Sequence, residues 1–333
     1  MKFILIIFFF LLLAFKSNAQ TEATDTLALQ EIIVKAFENN RKLIDVPAAI
    51  SLVNKKELDR YNNISILPAL NINPGVRMEE RSPGSYRLSI RGSSLRAPFG
   101  VRNVKVYYND IPYTDPGGNS YLNQLGFYNI QSVEIIKGPG SSLYGAGTGG
   151  VLLIRSDANR FVPGVSVDYT LGSYALNNFN ANIRFGKAES SNTINYQHQT
   201  SDGYRNHTSL RRDVLTWDAN LKTSETQNLQ AHFLYGDLYY QTPGALTKTE
   251  YDANPKSARP HAGAFPSADE AQAAIYQKTF LAGFSLEQKI NSEWKNTTSI
   301  YGAYSQMRNP SFRNYGRTTE PHFGGRTIFE LNK

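Results

Sequence analysis

Cysteine is missing from all 333 residues, which excludes disulfide staples, thiolate metal sites, cysteine nucleophiles and lipid attachment through an N-terminal cysteine. After the first twenty or so positions no apolar stretch approaches the ~18 residues of a membrane-crossing helix, so a helical membrane protein is excluded as well. Blocks of like charge are also lacking. The net charge is +7, but both signs are scattered and nothing marks a nucleic-acid stripe. The five histidines (His198, His207, His232, His261, His322) show no i, i+4 metal-ligand spacing and read as incidental polar residues.

What is present begins with a leader. Lys2 precedes an apolar run from Phe3 to Phe15, and Ser17-Asn18-Ala19 supplies a small-x-small cleavage site. This predicts a signal peptide over residues 1–19; a retained anchor is the alternative, although the run is short for a bilayer. The 20 tyrosines and 18 phenylalanines sit in a chain of mean hydropathy −0.40, which suits many half-buried strands better than one dry core.

Glycine is concentrated in "SVEIIKGPGSSLYGAGTGGVLLI" (132–154). A phosphate-binding loop would need a helix after the glycines and a Lys-Ser/Thr pair. Instead Gly150 leads into Val151-Leu152-Leu153-Ile154, which reads as a buried strand. Strand, tight turns, strand is the expectation. Residues 43–157 read as one mixed domain with strands at Ile50–Val53, Arg87–Arg91, Val104–Tyr108 and Val133–Lys137. A helix is expected over Lys55–Tyr61, capped by Asn54, and a helical turn over Ser65–Leu70. Upstream, within a polar segment 20–42, Glu31-Ile32-Ile33-Val34 forms a short strand-prone run. Left unpaired, it is a handle for strand addition by a partner; a first strand of the following domain is the alternative.

From residue 163 the texture changes to alternation. Val165, Val167, Tyr169 and Leu171 alternate with Ser166, Asp168 and Thr170, and Phe179, Ala181, Ile183 and Phe185 with Asn178, Asn180, Asn182 and Arg184. Leu215-Trp217-Ala219-Leu221 and Leu229-Ala231-Phe233-Tyr235 repeat the pattern. Connections at 187–192, 223–228 and 291–293 are short, whereas 201–212, Gln241 to about Ala273 and Gln306 to about His322 read as long loops; 172–177 is a short exception. Short turns at one end, long loops at the other and strands of ~10 residues describe an outer-membrane β-barrel. A soluble sandwich would also alternate, but its wet face is not usually so rich in asparagine.

"SIRG" (89–92), "VYYNDIPYTDP" (106–116) and "VEIIKGPGSSLYGAGTGGVLLI" (133–154) resemble, in order, three motifs of the TonB-dependent outer-membrane receptors, and "EIIV" (31–34) resembles their TonB box. "SDGYR" (201–205) and "QTPGALTKTEYDANP" (241–255) resemble stretches of ferric-siderophore and ferric-citrate receptors. The resemblance implies an α+β plug domain (43–157) followed by antiparallel transmembrane β-barrel strands (163–333), with the glycines serving tight plug turns. It implies TonB contact through Glu31, Ile32, Ile33 and Val34, and a plug–barrel lock at Arg91. The companion arginine of that lock is Lys137 here, which lacks a planar fork, and partners are expected beyond Lys333.

At ~20 residues per strand, the chain after Val162 has room for about eight strands. Eight strands enclose only their own side chains, while a plugged barrel has about 22. The chain is therefore expected to be the N-terminal part of a 22-stranded barrel protein. The expected function is import of a scarce ligand, a ferric siderophore or other small anionic iron chelate, with TonB and outer-membrane lipid as partners and no cofactor. Cobalamin, sugar or peptide import, and adhesion without energised import, are the alternatives. By analogy with the family, Arg81, Tyr86, Arg96, Phe99, Tyr113 and Asp115 of the plug loops and Tyr204 and Arg205 of a barrel loop are the candidate ligand contacts, since arginine suits carboxylates and aromatics give rigid contact area. An enzyme is not expected: Asp202 near His207 and Glu250 near Asp252 are loop residues without supporting geometry.

Overall fold

The computed structural model describes residues 32–38, 41–61, 64–93, 100–156, 161–311 and 313–331. The leader, Glu31, Arg96 and Phe99 lie outside the described residues. Ile33–Lys333 forms one contact unit and Met1–Ile32 another, of which only Ile32 is described.

β1 (Ile33–Val34) pairs antiparallel with β2 (Arg41–Lys42). The segment read as an unpaired handle thus already has a partner strand. Its two side chains point opposite ways, as strand geometry requires: Val34 is 1% exposed and Ile33 61%.

The plug follows. β3 (Ile50–Asn54) runs into α1 (Lys55–Asp59), where Asn54 Oδ1 accepts from Glu57 N at 3.0 Å and Glu57 Oε2 accepts from Asn54 N at 2.9 Å. This reciprocal capping box satisfies two orphan helix donors. α2 (Leu67–Asn71) carries Pro68 in its first turn, where a missing N–H breaks no bond. Then come β4 (Val76–Ser82) and β5 (Ser85–Ile90), which pair as a hairpin, β6 (Val104–Tyr108), β7 (Ile111–Pro112), β8 (Ser132–Lys137), α3 (Ser141–Tyr144) and β9 (Gly150–Arg155). The central sheet has the order β3-β8-β9-β6-β7, with only β6 and β9 parallel. Val53, Val106, Ile135 and Leu152 are fully enclosed in its core.

The short α3 interrupts the glycine-rich loop where plain turns were expected. Gly150 enters β9 at φ 150°, and a Cβ there would strike the Ile136 carbonyl oxygen. Only glycine fits that entry.

β10 (Gly164–Gly172), β11 (Leu176–Lys187), β12 (Ser190–Ser201), β13 (Leu210–Lys222), β14 (Gln227–Gln241), β15 (Ala274–Lys289), β16 (Trp294–Pro310) and β17 (Tyr315–Leu331) form one antiparallel sheet in chain order. The alternation sets its two faces. Val165, Leu171, Phe185 and Phe284 stand on the exposed face, while Asn178, Asn180 and Asn182 turn inward and are buried. Inside, Asn195 Nδ2 donates to Asn180 Oδ1 at 2.8 Å and Gln197 Nε2 to Asn178 Oδ1 at 2.9 Å. Where the plug presses on the wall, the inward face becomes apolar, and Leu234 and Leu281 join the plug's core. Gly236 admits the plug closely: a Cβ there would lie 2.6 Å from Gln124 Oε1.

The stretch from Gln306 to His322, read as a long loop, is mostly strand, since β16 and β17 are joined by residues 311–314 alone. Tyr315 to His322 carry no apolar alternation because backbone pairing with β16, not burial of one face, holds them extended. The loop between Gln241 and Ala274 is long as expected, and holds α4 (Lys248–Ala253).

Candidate functional site

β6 and β7 are joined by Asn109 and Asp110 alone, with φ of 48° and 68°. A two-residue hairpin of this hand needs positive φ at both positions, which Asn and Asp tolerate better than other non-glycine residues. The turn sends its side chains to two different places.

Asp110 faces the N-terminal segment. It accepts from Lys35 Nζ and from an Arg155 guanidinium nitrogen, each at 2.9 Å. Burial pushes the carboxyl up, but Arg155 and Lys35 outweigh it and hold Asp110 well below the usual carboxylate range. One residue after β1, the Lys35 N–H points between the two carboxylate oxygens of Glu134, at 3.0 Å from each. Val34 and Ala36 pack with Tyr107, Tyr144, Val151 and Leu153. Phe37 and Glu38 then take left-handed backbone, at φ 60° and 59°, a conformation that costs about 1–3 kcal/mol per residue and persists only where contacts enforce it. The enforcing contact is with the wall. Arg326 of β17 donates to Glu38 Oε1 at 2.6 Å and to the Leu143 carbonyl at 3.1 Å, with its guanidinium over the rings of Tyr107 and Tyr144 at 4.8 and 5.3 Å.

Asn109 faces the barrel wall. Its Nδ2 donates to Ser156 Oγ at 2.6 Å and Asp218 Oδ1 at 3.1 Å, and its Oδ1 accepts from Ser156 N at 2.9 Å. Asp218 of β13 also accepts from Ser156 Oγ at 2.8 Å, Asn129 Nδ2 at 2.9 Å and His232 Nδ1 at 2.7 Å. One half-buried barrel carboxylate thus gathers three plug side chains. Beside this knot lies a polar cavity of about 1040 Å³ between plug and wall, lined among others by Asn182, Arg184, Asn220 and His232 and reaching Ala188 in a short turn.

The histidines are not incidental. His198 lies opposite Asp213 across β12 and β13, and His232 opposite Asp218 across β13 and β14, at 2.6 and 2.7 Å. Cross-strand register, not spacing along one strand, makes these pairs. His207 meets Asp269 at 2.7 Å and the Ala273 carbonyl at 2.7 Å, not Asp202. Glu250 closes a capping box with Thr247, and Asp252 pairs with Lys248. Among the described residues no group of three or more His, Asp or Glu could hold a metal ion.

The candidate ligand contacts separate into two sets. Arg81 and Tyr204 are exposed; Tyr204 stacks edge-on against Tyr174 at 5.7 Å with Lys256 Nζ 5.6 Å above it. Arg205 donates twice to the Ser257 carbonyl, tying two loops together. Tyr86, Tyr113 and Asp115, expected at the surface, are buried. The Tyr86 hydroxyl lies 3.4 Å from Ser65 Oγ and is pushed up to about 12 by burial, with Glu80 adding to it. Tyr113 donates to the Tyr121 carbonyl at 2.8 Å, and Asp115 accepts from Asn119 N at 2.8 Å. Arg102, which the sequence reading passed over, is exposed beside that loop and binds Asn119 Oδ1 and the Gly117 carbonyl.

Of the expected lock, Lys137 Nζ donates to the Pro74 carbonyl at 2.7 Å, and Arg91, at φ 51°, donates its N–H to the Gly75 carbonyl at 2.7 Å. Neither is ion-paired among the described residues. Burial and the nearby Arg91 lower the Lys137 ammonium.

Residues 42–151 match the family model of the TonB-dependent receptor plug domain. The fold is similar to that of the ferric citrate transporter FecA in its unliganded form, at 17% identity and TM-score 0.67 over 84% of this chain and 44% of that one. It is also similar to the ferric yersiniabactin uptake receptor FyuA from Yersinia pestis, at 15% and 0.63 over 85% and 45%. The copper transporter OprC matches at 15% and 0.64 over 85% and 44%. This chain spans less than half the length of these solved structures. Residues 42–151 are thus a plug domain of the TonB-dependent receptor family, and the sheet that follows shares the fold of the barrel strands in these solved structures.

Proposed function

We propose that this receptor imports a scarce anionic iron chelate across the outer membrane of a Gram-negative bacterium, energised by TonB pulling on residues 31–34. The observation that carries the reading is the docking of β1. Its outer side chain stays open, with Ile33 61% exposed, and its only strand partner among the described residues is the two-residue β2. A partner strand competing for so small a ladder faces little resistance. Pulling there strains Lys35 against Asp110 and Glu134, and Glu38 against Arg326, and so acts on the plug itself.

The apolar outer face of β10–β17 suits lipid. Arg81, Arg96, Phe99, Tyr204 and Arg205 would contact the chelate, with arginine meeting its acid groups. Tyr86, Tyr113 and Asp115 would shape that surface from beneath. Arg91 and Lys137 would complete the lock with carboxylates of the wall. Iron is favoured because the fold is shared with receptors named for ferric citrate and ferric yersiniabactin; a copper cargo, as named for OprC, is the second reading.

The test is deletion of residues 31–34 in the full-length receptor, read as growth on ferric chelates as sole iron source and as uptake of labelled iron and copper. Loss of uptake with retained surface binding supports the proposal. Unchanged function would favour an adhesion or passive binding protein.

A further inference from the structure

The outward face of the wall carries one cross-strand row in which charge is not balanced. Register places Arg211, Tyr239, Tyr276, Arg308 and Arg317 side by side, from β13 to β17. Alternation fixes their direction: Arg212 turns inward, over the Phe127 ring at 4.6 Å, so Arg211 turns out. Arg308 and Arg317 are both exposed and stand directly opposite each other. Like charges so placed repel, since opposed Cβ atoms are only about 5 Å apart.

Among the described residues no carboxylate relieves them. The acids of this face nearest in register, Asp213 and Asp237, are already taken. Arg211 pairs with both, at 2.9 Å to Asp237, and Lys278 Nζ reaches Asp237 at 3.4 Å. Arg308 meets the Tyr276 ring, 5.1 Å from its guanidinium carbon, and Tyr276 leans on Tyr239 at 4.8 Å. Two guanidinium forks are stable side by side when an anion bridges them, and phosphate has the matching geometry.

Height in the membrane says what carries that anion. On β16 the exposed rings of Trp294 and Tyr304 are ten residues apart. At a rise of ~3.4 Å and a tilt of ~40° they span about 26 Å, the height of the apolar band of an outer-membrane barrel. Arg308 lies four residues beyond Tyr304, toward the long-loop end, and so about 10 Å above the band, at headgroup level. Beneath it Phe280, Tyr304 and Phe323 continue the exposed apolar face, where acyl chains can lie.

We propose that Arg308 and Arg317 hold the phosphate of an outer-leaflet lipid, whose headgroup bridges β16 and β17 while its chains cover the apolar rows beneath. The site rests on the membrane placement given above and stands apart from the path of the imported ligand.

The test titrates the purified full-length receptor in detergent with dioleoyl phosphatidic acid, whose headgroup is a bare phosphate, and with dioleoyl phosphatidylcholine, counting bound lipid by native mass spectrometry. The parent prefers phosphatidic acid, and Arg308→Gln or Arg317→Gln each weakens that binding about tenfold through loss of a charge-assisted hydrogen bond. Lys248→Gln, which removes the same charge from α4, leaves it unchanged. Both arginine variants alter exposed side chains and ease a repulsion, so they fold. Phosphatidic acid also raises the melting temperature of the parent but not of Arg308→Gln. Equal affinity for the two lipids, or undiminished binding by the arginine variants, would overturn the site. Inorganic phosphate bound as tightly as the lipid would also overturn it, leaving an ion site in place of a lipid seat. Binding of neither lipid would overturn the membrane placement with it, and that result tells the two failures apart.

Discussion

Nη2 of Arg326, in β17 of the wall, lies 2.6 Å from Oε1 of Glu38, 288 positions earlier in the chain. Both side chains are largely buried, at 13% and 7% exposure, so solvent screens the pair little. It holds the N-terminal segment to the barrel while Lys35 holds the same segment to the plug. Breaking a buried pair by removing one partner leaves an uncompensated charge and costs about 3–5 kcal/mol. Arg326→Ala should therefore release residues 33–38, seen as faster amide hydrogen exchange there and new proteolysis near Lys42. Arg326→Lys, which keeps the charge but loses the planar stacking on Tyr107 and Tyr144, should fall between.

Asp110 makes the docking pH-dependent in a defined direction. Its carboxyl titrates lower when docked than the free value of 3.8. A depressed folded value contributes stability that is complete above the unfolded value and is lost as pH falls toward the folded one. Cysteine is absent from these 333 residues, so Ile32→Cys places a single spin label within them. Its mobility should stay low at neutral pH and rise only below about pH 4, the free carboxylate range. Asp110→Asn should be mobile at neutral pH and should lack the rise in mobility below about pH 4.

The knot at Asp218 predicts unequal losses. Asn129→Ala removes one donor and should destabilise the plug's seating by about 1 kcal/mol. Asp218→Ala strands Asn109, Asn129 and the His232 Nδ1–H together and should cost about 3 kcal/mol or more. Urea-dependent proteolysis of the plug in the otherwise intact receptor measures both, and equal midpoints for the two variants would contradict the shared-acceptor arrangement.

Close approach of plug and wall is tested at Gly236. Alanine there would meet Gln124 Oε1 at 2.6 Å and its backbone oxygen at 3.2 Å, and overpacking of this kind costs about 1–3 kcal/mol. The melting temperature should fall for Gly236→Ala but not for Gly302→Ala, whose Cβ would have nothing within 4 Å.

Much of the fold was legible because period-2 alternation and capping chemistry are local. Asn54 announces α1 by itself, and Val165 to Leu171 announce a wall. What was not legible depends on register or docking. His232 finds Asp218 only because β13 and β14 pair in that register, and Arg326 finds Glu38 only once the plug is seated. The outer part of β17 lacked alternation, so pairing alone reveals it. Tyr113 and Asp115 lie in a loop, and Tyr86 at the start of β5 beside another, whose glycines and aromatics look the same whether a loop is solvated or packed. A signal for Arg212 and Asp218 did exist: both share the phase of Val214 and Thr216, opposite to Leu215 and Trp217, and a charge on the inward phase of a plugged barrel has the plug to meet.

The central claim is that a TonB strand adds to β1 and transmits force through the docked segment. Ile33→Pro in the full-length receptor removes one backbone donor and disfavours strand pairing while leaving the ligand surface untouched. Measured side by side in cells, surface binding of the chelate should persist while uptake falls to the level of a TonB-deficient strain. Uptake equal to the parent would contradict the account.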